Sequence, residues 1–235
     1  MRVADTLFLD FEGEGPKGPD RVPKLPFLAG LYQPKNRGRK SQFSVSLFRE
    51  HCTPIKNGIP EISEITTLEA FIERITKRAE TEDLTIYYWS EYELDVLKEF
   101  LKSNRSLIKR FTKISLNAKL DAKTYLNRLG REVPEHEKKK LNAFLSAVCP
   151  KATPVSATRL GAAESCRRLE RYSLKEKKWS RWTDKQKSVA KELVRYNRED
   201  CVATAKIMRK ILSSPARLKR DAKYASKTTS RGENE

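Results

Sequence analysis

The chain has 235 residues, 38% of them hydrophobic, with a net charge of +18 and a sequence pI near 9.8. That length suits one good-sized domain or two small ones, and the charge points to a polyanionic partner, most often nucleic acid, or else to a basic but inert surface. No run of about 18 apolar residues is present, which excludes a transmembrane helix; four scattered cysteines without a CxxC spacing and only two histidines, His51 and His136, argue against a zinc site and against Ser-His or Cys-His catalysis. The cysteines read as free thiols of a reducing cytoplasm, and the N-terminus leads straight into the first apolar run with no room for a signal peptide. No basic helix shows an unpaired face of Trp, Phe and Leu, so a membrane surface is not an expected partner.

Leu7 to Glu12 is a short apolar run ended by a Gly-rich turn cluster, the pattern of a buried strand. Side chains alternate along a strand, so Phe8, Asp10 and Glu12 share one face. Two carboxylates on one buried face are costly without a cation between them, and oxygen-only ligands suit Mg²⁺ or Mn²⁺. The alternative is that both lie at the exposed end of the strand, one of them capping a turn.

After a loop over Gly13 to Pro26, Phe27 to Gln33 is expected to be a second strand. Pro34 to Lys40 reads as a basic turn, and the alternation of Phe43, Val45 and Leu47 marks a third strand, giving an antiparallel meander. His51 to Ser63 reads as an irregular loop. Thr66 to Glu69 is a capping-box pattern opening a helix along Leu68, Phe71, Ile72, Ile75 and Ala79. Leu84 to Trp89 follows that helix and is expected to be a strand parallel to the first.

Ser90 to Lys102 is the next predicted helix, with Ser90 and Glu93 again in capping-box spacing. Glu93 is thus either a cap partner or an acid pointing inward, since it shares its face with Val96, Leu97 and Phe100. Asp95 falls on the solvent face with Lys98, Glu99 and Lys102. A fifth short strand is expected within Phe111 to Leu120, then a helix from an Asp121 cap to Leu129. Residues 130–187 are dense in Lys and Arg and read as an irregular basic insertion, with one helix expected over His136 to Ala147. Within it Arg171, Lys175, Lys178 and Arg181 interleave with Tyr172, Trp179 and Trp182, which suits single-stranded nucleic acid through phosphate contacts and base stacking. The competing reading has the tryptophans anchoring a loop to the core, favoured for Trp182 and open for Trp179.

A long helix is predicted from Asp184 to Leu212, with the stripe Val189, Leu193, Tyr196, Asp200, Ala203, Ile207 and Ile211. A carboxylate inside such a stripe calls for a partner, whether a metal, an arginine or a cap. Residues 213–235 lose all periodicity and read as a mobile basic tail.

Asp10-x-Glu12 on a first strand, Glu93 at the start of a helix after a central strand, and Tyr196-x-x-x-Asp200 on a late helix together resemble the tyrosine branch of the DEDD exonuclease superfamily, which has an RNase H-like fold. The run from Tyr196 to Thr204 looks closest to the RNase H-like domains found with or near RecB-type nucleases. The resemblance spans residues 1–212, thinly over 130–187. It departs from the superfamily in carrying Glu rather than Asp in the second motif, as the RecB-associated branch does, and Asp95 is the fallback there.

The resemblance implies an α/β domain with a mixed five-stranded sheet flanked by helices and two divalent ions, Mg²⁺ or Mn²⁺. Asp10 would bridge the ions, Glu12 and Asp200 would hold the one that activates water, and Glu93 would serve the second. Tyr196 would orient that water, since a phenol with a reference pKa near ~10 is a poor base at neutral pH. The implied reaction is 3′ to 5′ removal of nucleotides from single-stranded DNA or RNA, with a helicase or larger nuclease complex as the implied protein partner. An inactive fold kept as a nucleic-acid-binding or docking module and a structure-specific endonuclease are the competing readings.

Overall fold

The computed structural model describes residues 3–15, 22–35, 40–138 and 140–214. The expected tail therefore lies almost wholly outside the described residues, as do parts of the Gly13–Pro26 loop and the Pro34–Lys40 turn. The strands are β1 (Thr6–Glu12), β2 (Leu28–Gln33), β3 (Gln42–Leu47), β4 (Ile62–Ile65), β5 (Thr85–Tyr88) and β6 (Ser115–Asn117), and they form one mixed sheet in the order β4-β3-β2-β1-β5-β6. Only β2 runs antiparallel to its neighbours, and β1 and β5 pair in parallel as expected.

The helices are α1 (Thr53–Gly58), α2 (Leu68–Glu82), α3 (Tyr92–Phe100), α4 (Arg105–Ile114), α5 (Ala118–Arg128), α6 (Leu141–Val148), α7 (Ala162–Lys175) and α8 (Asp184–Leu212). Strand alternation sorts them into two layers. Leu7, Leu9 and Phe11 pack under α2, α3 and α4. Phe8, stacked on Tyr87 with ring centroids 5.8 Å apart, faces the layer of α5, α6 and α8, and Leu28, Val45 and Leu47 meet α1, α7 and the first half of α8. Asp10 and Glu12 share the face of Phe8 and so point toward α8. α8 keeps its expected bounds because both ends are marked locally: Thr183 and Gln186 close a reciprocal capping box, and the apolar stripe is continuous.

Several expectations are corrected. The sheet has six strands rather than five, because β4 begins at the end of the stretch read as a loop and runs on to Ile65. Four residues are too few to display a period, and β4 pairs only with β3 at the sheet's edge. The fifth expected strand shrinks to Ser115–Asn117, because Asn104 caps a helix that continues through Phe111 to Ile114. The next helix starts at Ala118 with Asn117 as its cap, not Asp121. At the start of α2, Thr67 accepts from the Ala70 amide, while Glu69 accepts from Asn104 instead of closing a box. Phe100 is 38% exposed, and Leu101 takes the inward place at the end of α3. The span 130–187 holds two α-helices, α6 and α7, and both pack on α8.

Trp182 anchors that span, buried and donating its indole N–H to the Glu176 carbonyl at 3.0 Å. Trp179 lies against it, ring centroids 5.2 Å apart, and over Gly58, where an added Cβ would stand 2.0 Å from the indole. Gly58→Ala is therefore expected to push Trp179 off Trp182, at a cost of about 1–2 kcal/mol. A urea melt followed by tryptophan emission measures this, and an unchanged midpoint with unchanged emission would show that the contact carries no weight.

Candidate metal centre

Asp10 and Glu12 end β1, and Asp200 lies midway along α8, which crosses that face of the sheet. Each of the three offers a carboxylate oxygen, and these oxygens all lie within 4.8 Å of one another. Glu12 is 8% exposed, while Asp10 and Asp200 keep partial access to solvent. The group stands at the C-terminal ends of the parallel pair β1 and β5, beside the point where β2 reverses direction, the position where open α/β sheets bind ligands.

Electrostatics here are those of crowded acids. Burial, then the charges of Glu12, Asp200 and Glu93, holds the Asp10 carboxyl well above the carboxylate range; burial, then Asp200, does the same for Glu12. Asp200 is pushed up to about 7, chiefly by burial, although the Tyr196 hydroxyl donates to it and opposes the shift. Among the described residues no lysine or arginine ranks with the chief charges acting on Asp10, Glu12 or Asp200. Oxygen-only donors of this kind form a set that fits a hard divalent ion such as Mg²⁺ or Mn²⁺.

Glu93 stands apart from the triad. It is 2% exposed and pushed up to about 7 by burial, but its Oε2 accepts from the Ser90 amide at 3.2 Å and the Ser90 hydroxyl at 2.9 Å. The cap role and the inward-facing role thus coincide in one side chain. Asp95, the fallback, is 55% exposed and pairs with Lys98 on the same helix.

No family model matches the chain, and no curated protein matches it.

Three residues at the centre were missed in the sequence. Asn197, fully buried, donates from Nδ2 to Asp10 Oδ2 at 2.6 Å and to the Asp10 carbonyl at 3.2 Å. Its position four residues from both Leu193 and Cys201 places it on the buried face, the same signal that singled out Asp200. Gly30 pairs with Asp10 across the ladder and makes room for Asn197; a Cβ there would lie 1.8 Å from Asn197 Oδ1. Tyr92, taken only as part of a cap, buries its hydroxyl without a partner 3.4 Å from where a Gly13 Cβ would be. Burial, then the charges of Glu93 and Glu12, pushes this phenol up to about 12.

The basic set expected to bind nucleic acid is not gathered here. Cys166 of α7 is the residue near Glu12, and Lys175 is about 13 Å farther along that helix. Arg171 and Arg181 lie at the edge of ion-pair distance from Glu164 and Glu176, Lys175 and Lys178 are exposed, and the half-buried Trp179 packs its ring on Gly58 and Trp182. No helix among the described residues is long and apolar enough to cross a membrane.

Proposed function

We propose that the chain is a metal-dependent nuclease of RNase H-like fold, hydrolysing single-stranded DNA or RNA from a 3′ end. The observation that carries this reading is the convergence of the Asp10, Glu12 and Asp200 carboxylates within 4.8 Å on a partly accessible site where no lysine or arginine of the described residues ranks with the chief charges. A mixed sheet flanked by helices on both faces, with the acids on β1 and α8, supports the fold.

Asp10, Glu12 and Asp200 would hold one divalent ion, and Glu93, set slightly back, would serve a second. When bound, such ions stabilise charge on both the attacking and the leaving oxygen of an in-line phosphoryl displacement. Asn197 fixes Asp10 by holding its carboxylate and its carbonyl at once. Tyr196 donates to Asp200, and burial followed by the Asp200 charge raises its phenol further, so it remains a hydrogen-bond donor through neutral pH and is not a general base.

The test is incubation with 3′- and 5′-labelled single-stranded DNA and RNA in Mn²⁺ or EDTA, with Asp10→Ala alongside. A metal-dependent ladder absent from the variant is expected, and the two labels read polarity. Equal cleavage by the variant, or in EDTA, would overturn the site. Gel retardation without cutting would favour a binding module, a reading supported by the engagement of Glu93 with Ser90, and cleavage of a closed circle would favour an endonuclease.

A further inference from the structure

The net charge of +18 is spread unevenly. On the layer of α2, α3 and α4 three of the four arginines are matched: Arg74 pairs with Glu64, Arg78 with Glu82, and Arg110 with both Glu73 and Glu80, which leaves Arg105 at the start of α4. Along α8 the situation differs. Lys187, Lys191, Arg195 and Arg198 recur at intervals of four, four and three residues, so they form one stripe about 16 Å long. Neither lysine forms an ion pair with a described residue, and Arg198 lies over the Phe43 ring at 5.9 Å. Arg195 keeps 54% of its side chain exposed beside Glu199.

The stripe has a groove. A cavity of about 370 Å³ separates Lys191, Arg195 and Arg198 from residues 58–61, the loop held by the Trp179 contact. A second, of about 340 Å³, continues it along Lys187, Lys191 and Arg195 toward the start of α8. Three carboxylates border the two cavities. Of these, Glu192 is already committed to Arg159, Asp184 sits in the first turn of α8 where the helix dipole favours it, and only Glu61 faces the basic residues directly.

We infer that this groove binds the phosphate backbone of a single strand of nucleic acid. The inference rests on the nuclease reading for where the strand ends. Lys191 and Asp200 are about two and a half turns apart, on opposite sides of α8. A helix with its side chains is about 10–12 Å wide, so a strand whose 3′ end lies at the acids crosses α8 within a few nucleotides and meets the groove beyond it. The acids take the end of the strand; the groove takes its upstream phosphates and reads no base.

The experiment measures binding of a labelled 20-nucleotide oligothymidine by anisotropy across a salt series, on the Asp10→Asn background so that nothing is cut. The variant Lys187→Gln, Lys191→Gln, Arg195→Gln, Arg198→Gln is compared with a charge-matched control, Lys98→Gln, Lys102→Gln, Lys109→Gln, Lys113→Gln, on the other layer. The groove variant is expected to bind about tenfold or more weakly at low salt, with the slope of log K against log salt falling by about 2 to 3, at roughly 0.7 per phosphate on a single strand. The control is expected to stay within about twofold. Equal loss in both variants would reduce the groove to diffuse charge, and no change in either would remove it as a binding surface; both results overturn the inference. Should the fourfold variant fail to fold, single Lys187→Gln and Lys191→Gln variants serve in its place: each is expected to lower the slope by about 0.7, and an unchanged slope in both overturns the inference. Because the readout is binding without turnover, it is independent of the nuclease test: a groove effect without metal-dependent cutting sinks the nuclease reading alone, and cutting without a groove effect sinks only this inference.

Discussion

Asp200→Asn is expected to abolish metal-dependent cleavage, by about three orders of magnitude or more, while making the metal-free protein more stable at pH 8. The first effect follows from removing one of three carboxylates that converge within 4.8 Å, since an ion held by that set loses a ligand and the charge that attracts it. The second follows from linkage. The folded Asp200 carboxyl is pushed up to about 7 by burial, above its value in the unfolded chain. Below about pH 4 both states are protonated and the group has no effect. As pH rises toward 7 the unfolded state ionises first, so stability is lost across that window and stays lost above it. At about 1.4 kcal/mol per unit, the penalty at pH 8 is about 2–4 kcal/mol, which the asparagine does not carry. A rise in Tm of about 5–10 °C over the parent is expected in EDTA at pH 8, shrinking toward zero at pH 4. Added Mn²⁺ should raise the parent's Tm and leave the variant's nearly unchanged. Equal melting temperatures at pH 8 without metal would show that the acids are not electrostatically strained and need no ion to relieve them.

Gly30→Ala is expected to be the most damaging single methyl in the sheet. Its Cβ would stand 1.8 Å from Asn197 Oδ1, 2.8 Å from Asn197 Cγ and 3.1 Å from the Phe43 ring. Asn197 is fully buried on α8 and cannot swing into solvent, so it must give up its 2.6 Å bond to Asp10 or force α8 from the sheet. Overpacking and a buried amide without its partner together cost about 2–5 kcal/mol. Cleavage should fall about 10- to 100-fold beyond any loss of folded protein, because Asp10 loses the group that orients it. Pairing the change with Asn197→Ala separates the two effects. The double variant should regain much of the stability, less destabilised than the sum of the singles, yet remain impaired in cleavage. Strict additivity of the unfolding free energies would mean that Gly30 and Asn197 do not meet as described.

The acids themselves were legible in the sequence. Asp10 and Glu12 fall on one face because strand side chains alternate, and Asp200 stands out because it interrupts a helical stripe that is otherwise apolar apart from Tyr196. Periodicity is local, and it survives wherever an element is long enough, as β1 and α8 are, while the four-residue β5 was found as an apolar run following a helix. The inward turn of Glu93 and the outward turn of Asp95 followed from the same reasoning. β4 and α7 escaped it for opposite reasons: β4 has too few residues to show a period, and α7 is so rich in Arg and Glu that its buried Ser165, Cys166, Leu169 and Ser173 make a weak stripe.

What the tertiary structure decided are the meetings between distant segments. Asn197 reaches Asp10 across 187 positions of sequence, through a gap left by Gly30 on a third segment, and no local pattern encodes such a coincidence. The tryptophans likewise read as a stacking surface or as an anchor until Gly58 supplied the flat place on which Trp179 rests. Charge shows the same division. The sequence alone determined the total of +18, but which cations are cancelled depends on which carboxylates fold beside them, and only packing left Lys187 and Lys191 of the α8 stripe without an ion pair among the described residues, along a groove. Period and composition are properties of neighbours along the chain; site geometry and free charge are properties of neighbours in space.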